Sequence, residues 1–152
     1  MGRSIAGAGA IVLLTLMAGC LWVVGYVVAP TLFSVLERAR AGEVAGHLFT
    51  IVAWIVITAT PAVLLLDRAV LHPAQPWVAV CLWLILGLAL IGHFGIRPQI
   101  AALKAAQTAS EIGAEAYRAA FGRWHAISAA VYMVESVLAA AIIVGWRRRG
   151  EQ

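Results

Sequence analysis

The chain has 152 residues, of which 63% are hydrophobic and 12% charged, and its formal net charge is +4. Soluble domains run at roughly 45–50% apolar and about 25% charged, so this chain has too little polar surface to cover a core in water, and lipid must supply part of its solvent. One domain, residues 1–152, is the expectation for this length. The positive excess fits headgroup contact and orientation in a membrane, which makes the lipid bilayer the expected partner. Nucleic acid is excluded as a partner, because the basic residues are scattered, no aromatic platform accompanies them, and the only run, Arg147-Arg148-Arg149, stands at a membrane exit. Cys20 and Cys81 fall inside apolar stretches, without a CxxC or a Cys/His ligand spacing, and read as packing residues.

No charge occurs from Ser4 to Leu36, so a first span of about 5–28 meets the roughly 20 apolar residues that a hydrocarbon core requires. Leu16-Met17-Ala18-Gly19-Cys20 resembles a lipoprotein cleavage box, but the apolar run continues through Val28, so a retained helix is expected. Pro30 should bend or stop it near Ala29. The amphipathic stretch Thr31 to Gly46 reads as a helix extension followed by a turn at Ala41-Gly42. A second span of about 48–66, kinked at Pro61, ends at Asp67-Arg68; the short link to Gln75, with Pro73 in it, predicts a tight antiparallel hairpin. A third span of about 77–96 is expected to end at Arg97-Pro98. The polar stretch from Gln99 to Arg123 reads as a surface-lying helix, then a turn around Gly113 within Ser110 to Glu115, then the lead-in to a fourth span of about 126–146.

The fold class that follows is all-α: an integral membrane four-helix bundle, up-down-up-down, with amphipathic helical segments in the first and third loops. Trp22, Trp77, Trp124 and Trp146 include three at or near span ends, as an aromatic belt requires, and Arg97, Pro98, Arg123 and Trp124 read as interfacial anchors. Four spans place both termini on one side. That side carries Arg3, Arg68 and Arg147 to Arg149, against Arg38, Arg40, Arg97, Lys104, Arg118 and Arg123 on the other. The first set is packed closer to span ends, where the positive-inside rule has most force, so the termini are expected in the cytoplasm of a bacterium, with the bundle in its inner membrane.

Three histidines, His47, His93 and His125, fall at the face of the first and third loops, while His72 in the opposite link reads as solvated. At 100° per residue His125, Ser128, Tyr132 and Glu135 share one face of the fourth helix, and His47, Thr50, Trp54 and Thr58 share one face of the second. Lipid cannot satisfy these groups, so both stripes are expected to face the interior. The first helix adds Thr15, Trp22 and Tyr26, with Gly19 expected to allow close approach. Glu135 sits near mid-span, where a carboxylate must be protonated, paired or hydrated. It reads either as a proton or cation site or as a protonated group bonded to Thr58, Tyr26 or a carbonyl, within a polar cluster of Tyr26, Thr58, Ser128, Tyr132 and Glu135. Neutral imidazoles at His47, His93 and His125 can ligate haem b, copper or zinc, or simply cap helices, and no HxxxH or HExxH spacing decides between these. Catalytic residues are not expected, since no nucleophile–base pair, nucleotide loop or paired carboxylates stand out, and the chain reads as a non-enzyme.

Several segments resemble a known family. Val28 to Phe33, Ala41-Gly42, Gly46 to Phe49, the stretch GHFGIRPQIAALK from Gly92 to Lys104, and FGRWHAISAAVYMVESVL from Phe121 to Leu138 are similar to small bacterial membrane proteins related to the animal transmembrane protein 205. The resemblance covers nearly the whole chain and implies a four-helix membrane domain of unknown function, with a distant likeness to copper-resistance membrane proteins. Its motif positions fall on Pro30, Phe33, Gly42, Phe49, Pro98, Phe121, His125 and Ser128. Ala126 stands where that pattern has glycine, Glu135 stands where a neutral amide is common, and His47 and His93 are also departures, so a site built on these would be particular to this chain. Three functional readings follow: an accessory or scaffold protein in a larger membrane complex or homo-oligomer, a haem or transition-metal handling protein, and a small transporter with Glu135 as its titratable site.

Overall fold

The computed structural model describes residues 2–70 and 76–147. The link containing His72 and Pro73, and the arginines Arg148 and Arg149, lie outside the described residues. Four long helices make up the described residues, among which no strand occurs. Helix α1 (2–35) joins Gly2–Val23, a π-helical turn Val24–Val28, and Ala29–Val35. Helix α2 is Arg38–Val70. Helix α3 joins Pro76–Leu90, a second π-helical turn Ile91–Ile96, and Arg97–Thr108. Helix α4 is Ala114–Arg147. Each is long and apolar enough to cross a membrane, and together they are the helices of a multi-pass membrane protein. Large apolar side chains such as Val12, Leu65 and Val137, each more than 60% exposed, point outward, as they must where the surrounding medium is hydrocarbon.

The helices are longer than hydropathy alone indicates, and three expected boundaries move. Pro30 does not stop α1, and Arg97-Pro98 does not end α3. In each case the π-helical turn ends two residues before the proline, and the backbone at Val28, Ala29, Ile96 and Arg97 stays right-handed helical. A proline inside a regular α-helix collides with the carbonyl four residues back. The wider turn displaces that carbonyl, so both helices continue. The expected turn at Ala41-Gly42 is instead the first turn of α2, where the Ala41 N–H donates to Glu37 O at 2.8 Å. The break between α1 and α2 falls at Leu36, whose backbone is extended (φ −115°, ψ 155°). Gly42 costs a helix about 1 kcal/mol relative to alanine, and the helix nevertheless runs through it, with Ala41 beside it fully buried. Finally, residues 99–123 form no separate surface helix: 97–108 prolongs α3 and 114–125 prolongs α4. The expected turn lies between them, with Ser110 at φ 59° and the Glu111 N–H closing onto Ala106 O at 2.9 Å.

α1 packs on α2 and α4, and α3 packs on α2 and α4, which gives a square up-down-up-down arrangement. The half nearest the termini is solid. Leu14, Met17 and Leu21 of α1 meet Val56 and Val63 of α2, Leu82 and Ile85 of α3, and Ile142 of α4 in one buried cluster. Lipid is as apolar as these side chains, so their association rests on close packing and interhelical hydrogen bonds. The Trp22 indole N–H donates to Ser136 O at 3.2 Å, tying α1 to α4. Close approach does not occur at Gly19, where an added Cβ would touch nothing within 4 Å. It occurs at Gly25, where a Cβ would overlap the Tyr132 ring, and at Gly145, where it would overlap the Trp77 indole. Beyond Gly25, within the first π-helical turn, α1 packs chiefly on α2, so the square opens towards the loop end.

Candidate functional site

A cavity of about 640 Å³ fills that open half, and all four helices line it. Both π-helical turns border it: Gly25, Tyr26 and Pro30 come from α1, and Gly92, His93 and Arg97 from α3. The paired bulges bend α1 and α3, and small residues on α2 (Gly42, Gly46, Ala53) leave the space between them unfilled.

The polar stripe of α4 faces this space as expected, with His125, Ser128, Tyr132 and Glu135 all in its wall. Tyr132 forms a shelf across it. Its hydroxyl donates to Leu21 O at 2.6 Å, and its ring stands edge-on to Phe49 with centroids 5.1 Å apart. Glu135 lies below, 6% exposed. No hydrogen bond joins it to Tyr26 or Thr58 among the described residues, because the Thr58 hydroxyl donates instead to its own helix at Trp54 O, 2.7 Å away.

The stripe expected on α2 does not face inward. His47 lines the cavity, but Trp54 and Thr58 are exposed, and Thr50 donates to Gly46 O one turn back at 2.7 Å. A threonine hydroxyl satisfied by its own helix carries no polar penalty into lipid. The face of α2 turned to the cavity is therefore the small and aromatic one, Gly42, Gly46, Phe49, Ala53 and Val56.

All three expected histidines reach the cavity wall. His47 is exposed, with Nδ1 3.1 Å from Glu43 O. His125 stacks on Phe121 at 5.9 Å, which itself stacks on Tyr117. His93 sits at the centre of the second π-helical turn, edge-on to Trp54 and Phe94 at 5.1 and 4.7 Å. Its Nδ1 is buried and has no partner, the one such side-chain atom among the described residues. No three His, Cys, Asp or Glu side chains among the described residues converge into a metal-ligand group.

Of the expected anchors, Arg97 turns into the bundle. It is half-buried in the cavity wall, and its guanidinium donates to Gly46 O of α2 at 3.2 Å. Pro98 and Arg123 are exposed and Trp124 is half-buried, and none of the three borders the cavity. Lys104 joins the mouth of the cavity. Its place is legible in retrospect, seven residues after Arg97 and so on the same helical face. Gly25 and Phe33 also belong to the site, and the signal that marks them is a glycine followed by a proline within an apolar helix.

The order of depth follows from the short turn joining α3 to α4. Counting back from that turn, Arg97 is level with His125. Glu135 lies ten residues further along α4, about 15 Å deeper at roughly 1.5 Å per residue. The cavity therefore runs from a cationic mouth, through an apolar and aromatic middle, to a carboxylate near mid-span.

No curated protein and no solved structure matches the chain. Residues 12–109 match a family described as a domain of unknown function, DUF4149, a stretch that takes in the described parts of α2 and α3 and most of α1 and leaves the α4 wall of the cavity outside. By that match, over more than half its length, the chain belongs to the DUF4149 family.

Proposed function

We propose that this membrane protein is a non-enzymatic binding protein that holds a small amphiphile in its loop-end cavity. The observation that carries the reading is the cavity itself: about 640 Å³, walled mostly by apolar and aromatic side chains, with a few polar groups gathered at its two ends. Ligand sites are commonly hollows of this size and composition. As an accessory protein, it would serve a larger membrane complex by holding that molecule. The likeness to bacterial relatives of the animal transmembrane protein 205, and a bacterial inner-membrane setting with cytoplasmic termini, belong to the same proposal. The setting is supported by the arginines close to the span ends on the terminal side.

The test is extraction of the purified full chain, followed by mass spectrometry of what comes with it. A stoichiometric small molecule is expected, and Gly92→Leu should reduce it, since the added side chain meets nothing within 4 Å at its Cβ and grows into the cavity wall. A chain that carries no such molecule and binds none when offered lipid extracts refutes the proposal.

A second reading is that the occupant is haem b with His93 as an axial ligand. It is favoured by the unpartnered His93 Nδ1 and by the presence of all three histidines in one wall. An absorption spectrum without a Soret band, before and after adding haemin, removes it.

A further inference from the structure

We infer that the amphiphile is anionic, that Arg97 is the counter-ion of its carboxylate or phosphate, and that its apolar tail reaches the bilayer between α1 and α4. This rests on the binding role proposed above and adds the chemistry of the ligand.

The first observation is the isolation of Arg97. It lies within the third candidate span, half-buried, and reaches across to a single acceptor, Gly46 O. A guanidinium has five donors, and among the described residues no carboxylate comes within ion-pair distance of this one. A partly buried cation normally pairs with an acid or meets water, because leaving it unpaired is costly. Here the open space beside it is the cavity, so the missing anion is the natural occupant. The planar fork of arginine also suits the two oxygens of a carboxylate or phosphate.

The second observation is the charge around it. Lys104 lies on the same face of α3 and lines the same mouth, and His125 is level with Arg97 on α4. The acids that border the cavity are Glu43, exposed at the rim, and Glu135, about 15 Å deeper. An amphiphile with an anionic head therefore has one favourable polarity, with its head at Arg97 and its tail towards the apolar middle.

The third observation is the breach in the wall. Beyond Gly25, α1 leaves α4 and packs on α2. Tyr26 and Phe33 on one side of the gap, and Met133 on the other, are 51%, 47% and 57% exposed while still lining the cavity. A tail longer than the cavity can extend through that gap into lipid, so the head site does not require a short molecule.

The experiment uses the full chain in nanodiscs of zwitterionic lipid. The probes are a pyrene-labelled long-chain fatty acid, its methyl ester, and pyrene-labelled phosphatidic acid and phosphatidylcholine, read by energy transfer from tryptophan. The acid and phosphatidic acid should bind about tenfold more tightly than the ester and phosphatidylcholine, the size of one charge-assisted hydrogen bond. Arg97→Gln should bring that ratio near unity, Arg97→Lys should retain part of it, and Arg123→Gln, outside the cavity wall, should leave it unchanged. A ratio between two probes is insensitive to a uniform loss of folded protein. Equal binding of acid and ester by the native chain overturns the anionic head while leaving the cavity's binding role intact. Competition by inorganic phosphate as strong as by phosphatidic acid assigns the site to a free anion and overturns the amphiphile. Failure of every probe to bind overturns the binding role itself.

Discussion

Gly25 is one of two glycines among the described residues at which a methyl group would overlap a neighbouring ring. A Cβ there would overlap the Tyr132 ring, and that ring is held from two other sides by its hydroxyl bond to Leu21 O at 2.6 Å and its edge contact with Phe49. Gly25→Ala must therefore push α1 away from α4 or displace the ring. Overpacking of this kind costs about 1–3 kcal/mol. Displacing the ring instead gives up an interhelical hydrogen bond worth about 0.6 kcal/mol on average in a membrane and an aromatic pair worth roughly 0.5–1.5 kcal/mol. Against this, alanine gains about 1 kcal/mol of helix propensity over glycine. The net expectation is a loss of up to about 2 kcal/mol, or up to roughly 8 °C in thermal midpoint. The assay is thermal unfolding in a mild detergent, with Gly19→Ala as the control. An added Cβ at Gly19 meets nothing within 4 Å, so that variant should be neutral or gain up to about 1 kcal/mol. In a Tyr132→Leu background the penalty at Gly25 should vanish, which isolates the contact as a coupling term. If Gly25→Ala and Gly19→Ala shift the midpoint alike, or if the Gly25 penalty survives loss of the ring, the close approach of α1 and α4 at Tyr132 is refuted.

Three further outcomes follow from the same contacts. Tyr132→Phe keeps the ring and loses only the bond to Leu21 O, so it should cost about 0.6–1.7 kcal/mol in the same melt; a larger loss would show that the hydroxyl has a second partner. Gly145→Ala also meets a ring, that of Trp77, so the same overpacking of about 1–3 kcal/mol less about 1 kcal/mol of helix propensity should lower the midpoint; a neutral or stabilised variant would show that the close approach at Trp77 is absent. Glu135→Gln removes a buried carboxylate that no hydrogen bond or ion pair among the described residues supports, and should leave the midpoint unchanged or raised. A strong destabilisation would show that the carboxylate is held by a partner, and proteoliposome flux lost in this variant alone would favour a transporter.

The four crossings were legible because hydropathy integrates over about twenty residues and tolerates local irregularity. The α4 stripe was legible for a related reason: His125, Ser128, Tyr132 and Glu135 all lie in the cavity wall, and nothing on their own helix offers three of these side chains a nearby substitute for an interior partner. Thr50 and Thr58 show where that logic fails. Helical spacing groups them with His47, but a hydroxyl can bond the carbonyl one turn back, as both do at 2.7 Å, and then it is indifferent to which way it faces. Of the bend or stop expected at Pro30 the stop does not occur, and neither does the end expected at Arg97-Pro98, because a π-helical turn just before each proline lets the helix continue. The direction of Arg97 is not legible in the sequence. Sequence position cannot distinguish an arginine that reaches to headgroups from one that reaches sideways to Gly46 O.

The two prolines link these observations into a single cause for the cavity. In α1 the π-helical turn Val24–Val28 is followed by Ala29-Pro30, and in α3 the turn Ile91–Ile96 is followed by Arg97-Pro98. These helices sit at opposite corners of the square, each flanked by α2 and α4. Bending one corner of a four-helix bundle would open a surface groove. Bulges at two opposite corners instead leave the loop-end half as two pairs, α1 on α2 and α3 on α4, while the terminal half stays packed around Met17, Leu21, Leu82 and Ile142. A cavity made this way costs the contacts that a regular bundle would have kept, and no cofactor-free packing advantage offsets the loss in lipid, where apolar burial contributes little. An occupant does offset it, by supplying the missing contacts and the missing charge at Arg97. On this reasoning the loaded protein should resist heat better than the empty one by RT ln(1 + [L]/Kd), about 2.7 kcal/mol at a hundredfold excess over Kd. That gain should fall in Arg97→Gln for anionic amphiphiles and stay the same for neutral ones. If loading leaves the thermal midpoint unchanged at saturating ligand, the cavity is not a binding site and the paired bulges need another explanation.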